Sequence, residues 1–186
     1  MMKRTFFAID IPSDNIIAGV LPDIKNKLQG EKIKWIPSDQ LHLTLKFLGD
    51  TPENTIPGII SALSGLLGKI PVMTLQLYSV GLFKNLNNPR IIWIGIQPCP
   101  PLHRAVKILN ERILPFGFAA DETDFVPHLT IGRVKEIKQK EKLGKLIEKY
   151  QQESFGTVSI TEILFYESIL KPEGPVYLPL KRFPLL

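Results

Sequence analysis

Cysteine is almost absent from this sequence. Its 186 residues include one cysteine, Cys99, which lies between two prolines. A single thiol excludes an internal disulfide framework and a zinc site built from several thiolates. We therefore expect a protein of a reducing compartment.

Long apolar runs are absent as well. The run at residues 91–96 is much shorter than the roughly 20 residues that a membrane-spanning helix needs. The apolar run near the N-terminus stops at Asp10, too early for the hydrophobic region of a secretory signal peptide. These two observations predict a cytoplasmic protein that has no membrane partner.

The composition shows no strong bias. Hydrophobic residues make up 44% and charged residues 22%, which excludes a disordered chain and a fibrous repeat. Because the sequence contains no long flexible linker, we expect residues 1–186 to form a single domain. The 23 Lys and Arg against 18 Asp and Glu give a net charge of +5, which favours an anionic partner but is also common on an ordinary solvated surface.

The predicted secondary structure mixes strands and helices. Apolar and β-branched segments predict strands at residues 5–11, 33–36, 41–48, 72–80, 91–96, 128–134, 158–166 and 176–180. A first helix is predicted to end at Gly30. Apolar residues three and four apart predict further helices at residues 53–67, 102–113 and 137–150. Because the two types do not alternate, this order favours an α+β fold with mainly antiparallel sheets over a doubly wound parallel fold.

Histidine is also rare, and two of the three histidines lie in a repeated segment. The sequence LHLTL at residues 41–45 returns as PHLTI at residues 127–131. Since side chains alternate along a strand, His42 and Thr44 share one face and the neighbouring leucines share the other. The same alternation pairs His128 with Thr130. Two such strands, facing each other, are predicted to line a cleft.

This constellation suits attack on phosphorus with departure of an alcohol. Such a reaction needs one group that accepts a proton and another that donates one, and imidazole does either near its usual pKa of about 6.5. The hydroxyls of Thr44 and Thr130 can donate hydrogen bonds to phosphate oxygens, and Arg133 can add a charged fork. Strict alternation places Arg133 on the leucine face, so its access to the cleft requires a bulge or a strand end near Gly132.

These residues have two alternative interpretations, a purely structural role in the strands and a metal site. A single His-Leu-Thr triplet would be typical of a half-buried strand, but the repetition of the triplet argues against that interpretation. Neither motif has the spacing of a metal site, and the acidic residues Asp121, Glu122 and Asp124 are interpreted as loop residues. His103 is interpreted as a surface residue of a helix. We therefore expect neither a metal nor another cofactor.

The motifs and their flanking segments are similar to the 2H phosphoesterase superfamily, which carries paired His-x-Thr motifs. The resemblance rests on residues 4–10, 41–50, 89–95, 125–133 and 167–177. These segments look like the bacterial and archaeal RNA 2′,3′-cyclic phosphodiesterase branch, also called 2′-5′ RNA ligase, and the likeness spans nearly the whole chain. The family commonly has alanine where this sequence has Gly132.

The resemblance implies a bilobal α+β fold with pseudo-twofold symmetry, two mainly antiparallel sheets, helices on the outer faces and a central cleft. It implies metal-independent hydrolysis of a 2′,3′-cyclic phosphate to a 2′-phosphate. By motif position, His42 would be the general acid that protonates the departing O3′, and His128 would be the general base that activates water. Thr44, Thr130 and Arg133 would hold the phosphate.

Two further functions stay open from the sequence. The joining of RNA ends through a 2′-5′ linkage is the reverse chemistry of the same site. A non-catalytic RNA-binding module would use the positive charge and aromatic surfaces such as Phe7, Trp35 or Phe125, although each lies in an apolar run typical of a core. The expected partners are RNA ends or nucleoside 2′,3′-cyclic phosphates, and no obligatory protein partner is inferred.

Overall fold

The computed structural model describes residues 1–12, 16–121 and 123–186, so Glu122 of the acidic loop lies outside the described residues. The strands of this part of the chain are β1 Met2–Asp10, β2 Lys32–Trp35, β3 His42–Pro52, β4 Met73–Phe83, β5 Ile91–Ile96, β6 His128–Glu136, β7 Ser154–Ile160, β8 Glu162–Lys171 and β9 Gly174–Pro184. Its helices are α1 Ile16–Lys27, α2 Ile56–Leu67, α3 Pro100–Ile113 and α4 Lys140–Tyr150.

The helices follow the apolar spacing of the sequence. In α3, two prolines occupy the first turn, where a missing N–H costs no hydrogen bond. Leu102, Val106, Leu109 and Ile113 of the same helix are buried, so one stripe faces the core. The predicted α+β class with mainly antiparallel strands is confirmed, since the described strand pairs are antiparallel.

The strands form two halves of matching construction. Reading outward from the centre, one half contains β3, β1, β8 and β9, and the other contains β6, β5, β4 and β7, with β2 paired to β6. We call them the His42 half and the His128 half, after the histidines that begin β3 and β6. The two predicted sheets are in fact parts of one nine-stranded sheet of the described residues, because Leu43 pairs with Leu129 at the junction.

The predicted strand at residues 158–166 is wrong, because the structure contains two strands there. Strand β7 ends at Ile160 and β8 begins at Glu162, with Thr161 between them. The residues around Thr161 favour extended backbone throughout, so their sequence carries no turn signal. Strands β7 and β8 belong to different halves of the sheet, and only one residue connects them. The sheet is therefore curved, so that the end of β7 lies beside the start of β8.

The apolar core lies between the sheet and the helices. Leu43 and Leu45 of β3 and Leu129 and Ile131 of β6 are buried in the same cluster. Helices α2 and α3 pack against the His42 half, and α1 and α4 pack against the His128 half. The opposite face of the sheet carries the histidines. Within the described residues, no helix has the length and apolarity to cross a membrane.

Candidate active site

The two histidine strands meet where the halves of the sheet join. Leu43 and Leu129, each one residue after a histidine, are direct partners across the junction. Both leucines are fully buried. Side-chain alternation therefore places the histidines and threonines of both motifs on the opposite face, close to one another.

A cavity of about 210 Å³ lies on that face. The structure brings all five sequence-predicted site residues to its wall, namely His42, Thr44, His128, Thr130 and Arg133. The rest of the wall comes from β2 and the turn after it, including Trp35 and Gln40, and from the β8–β9 hairpin, including Glu173 and Tyr177. The cavity thus combines a cationic and hydroxyl-bearing floor with aromatic sides.

The two imidazoles are held in the same way. Nδ1 of His42 lies 2.8 Å from the carbonyl oxygen of Gln40, and Nδ1 of His128 lies 2.8 Å from that of Val126. Because a carbonyl oxygen can only accept a hydrogen bond, each Nδ1 carries the proton and donates it. This tautomer leaves Nε2 of each neutral ring with a free lone pair for proton transfer.

His42 lies among aromatic rings. Its ring centroid is 5.4 Å from that of Phe6 and 5.0 Å from that of Tyr177, with Tyr177 edge-on. Burial lowers the pKa of His42, whereas the Gln40 carbonyl and the Asp10 carboxylate act in the opposite direction. The nearby Arg133 guanidinium adds to the lowering of this pKa.

His128 has a different environment. The ring of Phe83 packs edge-on at 4.5 Å between centroids. Burial lowers the pKa of His128, and the hydrogen bond to the Val126 carbonyl opposes that effect. The two histidines therefore share their anchoring but differ in their electrostatic neighbours.

Arg133 reaches the cavity through a bulge in β6. Adjacent residues of β5 pair with Thr130 and with Gly132, so Ile131 is the extra residue. The sequence requires a bulge or a strand end near Gly132, and the structure contains a bulge one residue earlier, within a strand that continues to Glu136. Because the bulge shifts the alternation, Arg133 is exposed on the cavity side while Val134 is buried.

Several residues that shape this site were not singled out from the sequence. Asp10 pairs with His42 across β1 and β3, and its carboxylate accepts a hydrogen bond of 2.7 Å from the Tyr166 hydroxyl. Tyr177 lies against His42 from β9. The one sequence signal for Asp10 is a carboxylate at the end of an apolar strand.

The other residues weighed in the sequence lie in separate places. Phe7 is fully buried, Trp35 lines the cavity, and Phe125 lines a neighbouring cavity that shares His128. His103 is exposed on α3, and its Nδ1 lies 2.9 Å from the carbonyl oxygen of Cys99, the residue that precedes this helix. Asp121 pairs with Lys46. Among the residues described by the structure, no three His, Cys, Asp or Glu side chains cluster as metal ligands would.

Comparisons with known proteins identify a family that this chain matches. A family model described as LigT like Phosphoesterase matches residues 9–93 and residues 94–177, and each range contains one histidine motif. The chain is 37% identical to the RNA 2′,3′-cyclic phosphodiesterase of Methanocaldococcus jannaschii over 97% of this chain and 99% of that one. It is 33% identical to the protein of the same name from Archaeoglobus fulgidus over 97% of this chain and 99% of the relative.

A solved structure gives the same result for the fold. E. coli LigT in complex with 3′-AMP superposes with a TM-score of 0.80 at 25% identity, covering 100% of this chain and 99% of that chain. The duplicated motif, the shared cavity and these matches together show that this chain belongs to the LigT-like phosphoesterase family.

Proposed function

We propose that this protein hydrolyses 2′,3′-cyclic phosphates, at RNA ends or on nucleosides, to 2′-phosphates. The observation that carries this proposal is the pair of Nδ1-anchored imidazoles in one cavity with an arginine and two threonines. The names of the relatives from M. jannaschii and A. fulgidus support the same activity.

His128 is the general base. Its Nε2 lone pair accepts a proton from a water molecule while the oxygen of that water bonds to phosphorus. In-line displacement requires the departing oxygen to lie on the far side of phosphorus. The base that activates the attacking water and the acid that protonates the departing O3′ must therefore lie on opposite sides of the cavity. Strands β3 and β6, which carry the two histidines, approach the cavity from opposite halves of the sheet.

His42 is the general acid. In its protonated form, Nε2–H donates to O3′ as the bond between phosphorus and O3′ breaks. The product is a 2′-phosphate with a free 3′-hydroxyl, and one turnover transfers one proton to His128 and one from His42. Burial and Arg133 lower the pKa of His42, and the Asp10 carboxylate opposes this lowering because it favours the protonated ring, which supports the assignment of the acid role to His42.

Arg133, Thr44 and Thr130 stabilise the charge on the non-bridging oxygens. The guanidinium can form two parallel charged hydrogen bonds, and each hydroxyl can donate one more. These groups surround the developing charge before the reaction begins, so little reorganisation is needed in the transition state. Acid, base and charge stabilisation all come from side chains, and we propose that no metal takes part.

The test is hydrolysis of a nucleoside 2′,3′-cyclic phosphate in the presence of EDTA, with chromatographic separation of the 2′-phosphate from the 3′-phosphate. We expect the 2′-phosphate to form. We expect His42→Ala and His128→Ala each to lower kcat by about 10²-fold or more, the usual contribution of a positioned acid or base.

The matched control is His103→Ala, since His103 is the third histidine and lies exposed on α3. This variant should keep the wild-type rate. Turnover within a few-fold of wild type in either cavity variant would refute the acid and base assignment. RNA binding without product, retained after both substitutions, would instead indicate a non-catalytic RNA-binding module.

A further inference from the structure

Two cations lie opposite each other in the wall of the candidate active site. We call the cavity that both histidines line the first cavity. Lys34 of β2 is the register partner of Arg133 of β6, and both residues line this cavity. Directly opposite residues of an antiparallel pair have Cβ atoms about 5 Å apart, so like charges at these positions destabilise the sheet. A bound anion would remove this cost.

The next pair along the same two strands is neutral. Lys32 pairs with Glu136, and their charged atoms lie 2.6 Å apart in a salt bridge. Among the residues that the structure describes, no carboxylate forms such a salt bridge with Lys34 or Arg133. The two strands therefore compensate the charge outside the cavity and leave the charge inside it available to a ligand.

Lys34 reaches across the first cavity. A Cβ atom added at Gly174 would lie 3.9 Å from Nζ of Lys34, so the ammonium lies beside the backbone at the start of β9. That strand belongs to the His42 half of the sheet, whereas β2 belongs to the His128 half. Glu173 is the carboxylate of the described lining, and it forms no ion pair with Lys34. The cavity wall is therefore cationic where β2 and β6 meet.

The reacting phosphate does not need both cations. A 2′,3′-cyclic phosphodiester carries one negative charge and two non-bridging oxygens, which the Arg133 guanidinium and the hydroxyls of Thr44 and Thr130 can satisfy. Lys34 adds a compact charge on a flexible stem, which suits a second phosphate that the first one holds nearby. In RNA, one ribose connects the 3′ phosphate of a nucleoside to the phosphate on its 5′ oxygen.

We propose that Lys34 binds the phosphate on the 5′ oxygen of the nucleoside whose 2′,3′-cyclic phosphate reacts at the histidines. In an RNA chain this group is the phosphodiester that joins the last two nucleotides, and in a free nucleotide it is a monoester. Lys34 is then a specificity residue that favours substrates with a 5′-phosphate over those with a 5′-hydroxyl. This inference rests on the cyclic phosphodiesterase activity proposed above.

The experiment compares kcat/KM for three substrates that share one base. They are a nucleoside 2′,3′-cyclic phosphate with a 5′-hydroxyl, the same compound with a 5′-phosphate, and a dinucleotide that ends in the cyclic phosphate. We expect the wild-type protein to prefer a 5′-phosphorylated substrate by about fivefold at low salt, the contribution of one favourable ion pair. This preference should decline as NaCl is added, because salt screens the contact. The last two substrates distinguish a monoester from a phosphodiester.

Lys34→Gln should bring the ratio of kcat/KM values close to one, because it removes the charge and keeps a polar side chain of similar length. Lys34→Arg should retain the preference. The matched control is Lys107→Gln, since Lys107 is also an exposed lysine but lies on α3, which packs against the core face of the sheet. Its ratio should equal that of wild type.

A wild-type ratio near one for both phosphorylated substrates overturns this role of Lys34. A preference that survives Lys34→Gln also overturns it, and equal slowing of all three substrates would then assign the lysine to the reacting phosphate. Failure of the wild-type protein to hydrolyse any of the three substrates would instead refute the proposed activity itself.

Discussion

The two histidines illustrate how identical side chains come to lie in different environments. Both are buried enough to lower their pKa, and both donate Nδ1–H to a main-chain carbonyl. His42 differs because two charged groups act on its ring: the Asp10 carboxylate stabilises the protonated form, and the Arg133 guanidinium opposes it. The neighbours, and not the histidine motif itself, distinguish the proposed acid from the proposed base.

Asp10→Asn tests this distinction through the pH dependence of kcat/KM. Loss of the carboxylate lowers the pKa of His42, while burial and Arg133, which lower this pKa, remain. Because the proposed acid must be protonated, the alkaline limb of the profile should move to lower pH. The measured quantity is the midpoint pH of this alkaline limb, and not the rate at a single pH.

Asp50→Asn serves as the control, since Asp50 is an exposed carboxylate of the same sheet. Its profile should match that of wild type. An alkaline limb that stays in place in Asp10→Asn would contradict the role given to Asp10.

At the residue level, the alternation of leucine with histidine and threonine was sufficient to predict the face on which each side chain lies. The partners of His42 could not be predicted in this way. Asp10 and Tyr166 come together only through the pairing of β1 with β3 and β8, and these contacts are remote in the sequence. A bulge or a strand end was expected near Gly132, because glycine commonly marks a bulge, but Ile131 is the extra residue.

At the level of elements, β2 can pack closely against β6 because Gly132 of β6 has no side chain. Trp35 pairs with Gly132, and a Cβ atom at position 132 would lie 2.9 Å from Cε3 of Trp35 and 2.9 Å from Cγ2 of Ile33. Trp35 also lines the first cavity. The glycine therefore allows β2 to form a wall close to the residues that we propose to bind the phosphate.

Gly132→Ala should lower the free energy of unfolding by about 1–3 kcal/mol, because an added methyl group in a packed site forces its neighbours to move. The measurement is urea denaturation, together with KM, which should rise as Trp35 is displaced. Gly65→Ala is the matched control, because a Cβ at Gly65 meets no atom within 4 Å. That helical change should be neutral or stabilising. Equal effects of the two substitutions would contradict the packing argument.

The predicted elements also show where local patterns stop being informative. Helix α3 follows directly from its apolar spacing. The division between β7 and β8 does not, because Ile160 and Ile163 read as one apolar strand. The two strands are separate because β7 pairs with β4 in the His128 half and β8 pairs with β1 in the His42 half. These pairings involve residues that are remote in the sequence.

At the level of the whole molecule, the chain passes repeatedly between the two halves. Helix α2 packs against the His42 half, yet β4, which follows it, lies in the His128 half. Strand β7 lies in the His128 half, and β8 returns to the other. Unfolding of either half would therefore withdraw strands that the other half needs. We propose that residues 1–186 behave as one cooperative unit.

Leu164→Ala provides the test. Leu164 is buried in β8 of the His42 half, so the substitution should destabilise that half by about 2–5 kcal/mol. Trp35 and Trp93 both belong to the His128 half. If the halves unfold together, the urea midpoint from tryptophan fluorescence should fall by the same amount as that from hydrogen exchange of β1 and β8. A tryptophan midpoint that stays at its wild-type value would mean independent halves.

The main-chain acceptors of the two imidazoles have a consequence for engineering. Every amino acid contributes a carbonyl oxygen, so replacement of the side chain at Gln40 or Val126 leaves the acceptor of Nδ1 in place. Gln40 lines the first cavity and Val126 lines its neighbour. Libraries randomised at these two positions can therefore explore new substrate preferences while the protonation pattern of both rings is inherited from the backbone.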